Sequence, residues 1–110
     1  MSRITAKATQ YRLMDGVDEE SFLAASDALV PELTTVDGFL RRELLRGDDG
    51  RWWDVVYWRS REHADASEEI IARLPTCQRC ISMMDHTSIS VLHLELEQQS
   101  DPKLLSSKLS

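Results

Sequence analysis

The chain has 110 residues, 42% of them hydrophobic and 29% charged, and a net charge of −6. That describes one ordinary globular domain. The acidic balance argues against a nucleic-acid partner, because neutralising phosphates needs clustered Lys and Arg, and no apolar run approaches the roughly 18 to 20 residues of a membrane span.

The opening "MSRITAKATQYRL" alternates polar and apolar residues and lacks the apolar block of a signal peptide, so the cytoplasm is the expected location. Within it, "ITAKATQYRL" predicts a first strand. Asp18 is the expected N-cap of a first helix, with Val17 and Phe22 placed to form a hydrophobic staple. Phe22, Ala25, Ser26, Leu29, Val30 and Leu33 then recur at helical spacing. Pro31 is expected to kink or end this helix, and Gly38 to close it.

Two strand-like runs follow, "FLRRELLR" and "RWWDVVYWRS", joined by the turn-rich "GDDG"; they predict a β-hairpin. Ser60 can cap a second helix with His63 at its third position, and Ala64, Ala66, Ile70, Ile71 and Leu74 form one apolar stripe. Pro75 interrupts, and Cys77, Cys80, Ile81 and Met84 suggest a further short helical piece. "SISVLHLELEQ" reads as the last strand. A domain over residues 1–98 is expected, followed by a flexible polar tail over 99–110.

The order βαββαβ predicts a ferredoxin-like α+β fold, a four-stranded antiparallel sheet with both helices on one face. The other face is then bare unless something covers it.

Taking the hairpin register from Gly47 opposite Gly50 pairs Leu45 with Trp52, Glu43 with Asp54, Arg41 with Val56 and Phe39 with Trp58. Leu40, Arg42, Leu44, Trp53, Val55 and Tyr57 then share the opposite face. Both faces carry large apolar groups, so one should pack on the helices and the other on a second copy of the chain. Trp53, Val55, Tyr57, Leu40 and Leu44 are the expected homodimer contacts.

The face holding Phe39, Arg41, Glu43, Asp54 and Trp58 mixes rings with charge. Two readings are open: a structural Arg41–Asp54 ion pair, or a cavity between sheet and helices with Asp54 as its polar group. On the second reading Trp58, Trp52, Phe39, Arg41 and Phe22 line a pocket for a small hydrophobic molecule. Asp54 is then a general base or substrate anchor, and His93 an auxiliary proton carrier. His93 is equally readable as a hydrogen-bonded sheet or interface residue, and His63 and His86 as surface residues.

"CQRC", Cys77 to Cys80, has C-x-x-C spacing, but no second such motif completes a four-thiolate zinc site, and core thiols are the expected role. "GDDG" reads as a turn. No Gly-rich phosphate loop or nucleophile elbow appears, so neither a metal nor a cofactor is called for.

The segment "DGFLRRELLRGDDGRWWDVVYWRSREHA", Asp37 to Ala64, resembles the antibiotic-biosynthesis-monooxygenase-like domains of the dimeric α+β barrel superfamily. The carrying motifs are Gly38-Phe39 opening the second strand and Trp58-Arg59-Ser60 closing the third, and the element order extends the likeness over about residues 4 to 97. The resemblance implies a homodimer whose sheets form a barrel, with a pocket in each subunit between sheet and helices. Members that oxidise anthrone-like polyketide intermediates without a cofactor use a third-strand Trp, an Asn four residues before it, and a Tyr early in the second helix. By position these are Trp58, Asp54 and Ala64. Haem-degrading members use an Asn–Trp–His set whose Trp and His positions here hold about Ala66 and Thr76, so haem is not the implied ligand.

The leading expectation is a small enzyme acting on an aromatic or polyketide-like molecule, such as a cofactor-independent monooxygenase. The alternatives are a non-catalytic ligand-binding or stress-related dimer, and a barrel subunit whose importance lies in assembly.

Overall fold

A computed structural model describes residues 3–101. The elements are β1 (Thr5–Tyr11), α1 (Glu19–Leu33), β2 (Phe39–Arg46), β3 (Trp52–Trp58), α2 (Arg61–Ala72), α3 (Pro75–Ser82) and β4 (Ser90–Glu95). The strands form one antiparallel sheet in the order β2-β3-β1-β4. This is the expected ferredoxin-like α+β architecture, with α3 as a third helix. Residues 102–110, most of the expected tail, lie outside the described residues.

Local chemistry fixes the helix starts. The Asp18 carboxylate accepts the Ser21 N–H at 3.1 Å, and Glu19 and Glu20 place negative charge in the first turn of α1. Ser60 Oγ accepts the His63 N–H at 3.2 Å and starts α2. Pro75 sits in the first turn of α3, where its missing N–H costs nothing.

The end of α1 departs from expectation. The helix runs through Pro31 to Leu33 and closes at Thr34, whose N–H bonds the Val30 carbonyl at 3.1 Å. Pro31 is exposed, so the bond it cannot donate is lost on the solvated side of the helix. Gly38, at φ +86, instead opens β2, and its carbonyl accepts the Arg59 N–H at 2.8 Å.

The core lies between α1, α3 and the sheet. Tyr11, Phe22 and Trp52 meet edge-to-face, with ring centroids 5.9 and 5.2 Å apart. Such pairs add about 0.5–1.5 kcal/mol each beyond area burial. Leu29, Leu33, Cys80 and Met84 complete the cluster. Phe22 and Trp52 are therefore core residues, and Val17 packs against the same cluster as Phe22, as a staple requires.

The hairpin register differs from the one read off "GDDG". Gly47 N–H bonds the Arg51 carbonyl at 2.7 Å, so the loop holds five residues and Arg46 faces Trp52. Gly50 supplies the positive φ this loop needs, +82. One residue of slip reverses which side chains share a face: Leu44 pairs with Asp54, Arg42 with Val56 and Arg41 with Tyr57. A bulge between Phe39 and Arg41 then restores the expected Phe39–Trp58 pair.

The outer face consequently carries Arg41, Glu43 and Leu45 of β2, and Trp53, Val55 and Tyr57 of β3. Ala6, Ala8, Leu92 and Leu94 continue it across β1 and β4. Leu45, Leu92 and Leu94 are about half exposed. No helix among the described residues is long and apolar enough to cross a membrane.

Candidate functional site

Between the sheet and the helices lies a cavity of about 260 Å³. The strands set its floor: β1 presents Lys7, Thr9 and Tyr11 at alternate positions, and β3 presents Asp54, Val56 and Trp58. Leu29 and Leu33 of α1, Ile71 of α2 and Met84 after α3 close it with apolar groups.

Asp54 is the polar group of the floor, and its partner is Arg42. Arg42 Nε and Nη2 donate to the two carboxylate oxygens at 3.0 and 2.8 Å, and Nη1 donates to Ser26 Oγ at 2.8 Å. The two side chains retain 8% and 18% exposure, so this planar fork is nearly dry. Burial opposes the Arg42 charge, but the Asp54 bonds and charge outweigh it and hold the guanidinium protonated.

A second pair lies on the same face. Lys7 Nζ is 3.3 Å from Glu68 Oε1, and both residues line the cavity. The two pairs leave the lining without net charge.

Two buried donors face no acceptor. Tyr11 is 0% exposed and Trp58 1%, and neither the phenol oxygen nor the indole Nε1 has a hydrogen-bond partner. Burial, and then the Asp54 charge, push the Tyr11 phenol well above its ordinary range. It is therefore a neutral donor at any working pH.

Several sequence expectations change here. Arg41 is not the partner of Asp54; it lies on the outer face with its guanidinium 4.2 Å above the Tyr57 ring. Leu44, expected on the dimer face, packs against the core. Leu40 sits at the bulge and is 42% exposed. Trp58 lines the cavity, whereas Trp52 and Phe22 belong to the core and Phe39 stacks edge-on against Trp58 at 5.9 Å without lining the space. Trp52 instead borders an open depression between α1 and β2.

His93 does not line the cavity either. It pairs with Lys7 in the sheet, and its buried Nε2 has no hydrogen bond, the Glu68 carboxylate being 3.7 Å away. Asp54 lies two strands over and two residues along, roughly 12 Å between Cα atoms by strand spacing. The two are not in contact as an acid–base pair. The ligand atoms of Asp65, Glu68 and His93 all lie within 4.8 Å of one another, but Lys7 already supplies the compensating cation to Glu68.

The thiols behave as core groups. Cys80 is buried, Cys77 half-buried at the cavity wall, both are unpaired, and burial raises both above the ordinary thiol range. His86 is exposed as expected, while His63, partly buried, bonds Ser60 Oγ through Nδ1 at 2.7 Å.

Sequence reasoning missed Arg42 and Tyr11. Arg42 is one of two adjacent arginines, and only the register separates them. Tyr11 could have been found as the strand's one residue that is both aromatic and able to donate.

A ferredoxin-like α+β domain with a cavity between its sheet and helices defines the class. Residues 10–70 match the profile of the antibiotic biosynthesis monooxygenase family, and the chain belongs to that family. Among solved structures, a conserved protein from Methanosarcina mazei aligns with a TM-score of 0.66 at 8% identity, covering 87% of this chain and 95% of its own. A Bordetella bronchiseptica protein bearing the family's name aligns at 0.65 and 18% identity, over 89% and 98%. SnoaB, a cofactor-independent oxygenase from Streptomyces nogalater, aligns at 0.60 and 11%, over 92% and 98%. At these identities the likeness is one of fold. No curated protein sequence matches the chain.

Proposed function

We propose that the cavity binds an uncharged, largely apolar molecule of two or three rings, and that the protein oxidises it with O₂ as a cofactor-independent monooxygenase. The observation that carries this reading is the cavity itself: apolar walls, two internally compensated ion pairs, and an indole N–H of Trp58 with nothing to bond. Its 260 Å³ falls just under the roughly 300 Å³ lower end of small-molecule sites. Family membership and the fold shared with SnoaB support the reaction type.

The chemistry needs a substrate CH₂ made acidic by a neighbouring ring and carbonyl. Asp54 takes one proton, and Arg42 holds that carboxylate in one orientation. The carbanion passes an electron to O₂, and the two radicals join through a new C–O bond. Asp54 returns its proton to give a hydroperoxide. Loss of water, using the remaining C–H hydrogen and the terminal OH, leaves a ketone. One oxygen atom enters the product and the other leaves as water. The Trp58 N–H is the donor for the charge that develops on the substrate carbonyl.

A second reading, a ligand-binding protein without turnover, is favoured by one fact: the Arg42 fork engages both Asp54 oxygens. Oxygen uptake separates the two. With β-tetralone, whose CH₂ lies between ring and carbonyl, the enzyme reading expects protein-dependent O₂ consumption that Asp54→Asn reduces at least 100-fold. Binding of β-tetralone under nitrogen with no O₂ uptake in air supports the second reading and ends the first.

The reading includes a homodimer closed through the outer face, where Trp53, Val55 and Tyr57 stand beside the half-exposed Leu45, Leu92 and Leu94. A contiguous apolar surface of this kind is uncommon on a monomer.

A further inference from the structure

We propose that the Tyr11 hydroxyl is a specificity-determining donor that selects ligands carrying an acceptor oxygen at the Tyr11 end of the cavity. The inference rests on the cavity being a ligand site. Tyr11 lies at the end of β1 opposite Trp52, six residues from Thr5, which pairs with Trp58. At strand spacing that puts the two ring-bearing Cα rows roughly 20 Å apart. The two unpartnered donors therefore enter the cavity from different ends, and Tyr11 poses a separate question from Trp58.

The surroundings of Tyr11 give its hydroxyl no structural duty. Phe22 packs edge-on against its ring, and Cys80 and Met84 complete the wall. The nearest charged groups, Asp54 and Arg42, are satisfied by each other. The fold would be served equally well by Phe at this position, since a buried hydroxyl without an acceptor is unfavourable. A ligand oxygen reaching it gains a hydrogen bond and relieves that penalty. A ligand lacking the oxygen leaves the donor stranded in a drier cavity and is rejected.

The test compares two probes of nearly equal shape, α-tetralone with one carbonyl and tetralin with none, by calorimetry on the wild type and Tyr11→Phe. The wild type should prefer α-tetralone by roughly 5- to 150-fold, and the variant should lose most of that preference by weakening α-tetralone alone. The unliganded variant should melt no lower than the wild type. An equal loss of both probes, or a lower melting temperature, would mean that the hydroxyl is structural and would overturn the inference while leaving the cavity a ligand site. If neither probe binds the wild type, the cavity reading fails and this inference with it.

Discussion

Replacing Arg42 by Met should destabilise the protein by about 3 kcal/mol, the lower end of the range for removing one partner of a buried ion pair. The lower end applies because Asp54 keeps 18% exposure and Arg42 8%. The substitution removes both bonds of the fork and the bond to Ser26. It leaves a carboxylate facing Val56, Leu29 and Ile71. In a domain whose whole stability is of order 5–15 kcal/mol, the melting temperature should fall by roughly 12 °C or more. Arg42→Met combined with Asp54→Leu removes both charges and should recover most of the loss. Urea unfolding of the wild type, both single variants and the double variant gives the full cycle, at one protein concentration because association shifts the apparent stability. A single-variant cost below about 1 kcal/mol would show a solvent-screened surface pair. A double variant no better than Arg42→Met would show that lost packing, and not a stranded charge, is responsible.

Three further outcomes follow from the same geometry. Gly38→Ala should cost about 3 kcal/mol, because a Cβ there would lie 2.4 Å from the His63 ring at φ +86; Gly16→Ala, at φ +84 with nothing within 4 Å, should cost only about 1, and equal losses in thermal unfolding would refute the clash. Leu92→Glu with Leu94→Glu should convert a sedimenting dimer to monomer at micromolar concentration, and an unchanged profile would remove the outer face as the interface. Because the folded Tyr11 pKa is raised above its ordinary 10.0, its contribution is complete below pH 10. It declines as pH rises beyond that value, since the unfolded chain ionises first. Stability should fall there by up to about 1.4 kcal/mol per pH unit more steeply in the wild type than in Tyr11→Phe; parallel curves would contradict the burial of the phenol.

The sequence disclosed the architecture because its signals are local. Asp18 and Ser60 announce the helices with their own side chains, and alternation in "WWDVVYW" forces large groups onto both sheet faces. The site was less legible because it depends on parity. Whether Arg41 or Arg42 meets Asp54 turns on one extra residue in the Gly47–Arg51 loop, and the return of Phe39 to face Trp58 turns on a bulge near Leu40. Neither feature is written in periodicity. An ion pair at Asp54 was foreseeable in kind and misassigned in partner. Trp52 and Phe22 looked like pocket rings because aromaticity does not reveal depth; the Tyr11–Phe22 and Phe22–Trp52 ring contacts place both in the buried cluster. His93 was chemically suited to pair with Asp54, but periodicity carries no distance between strands, and the sheet order sets the two residues two strands apart.

The account stands on the space between sheet and helices being where a small molecule resides. Isotope-filtered NOEs between bound α-tetralone and protein methyl groups test this directly. Contacts to Leu29, Ile71, Met84 and Val91, all of which line the cavity, are the predicted result. Contacts confined to Leu92 and Leu94 on the outer face would contradict it.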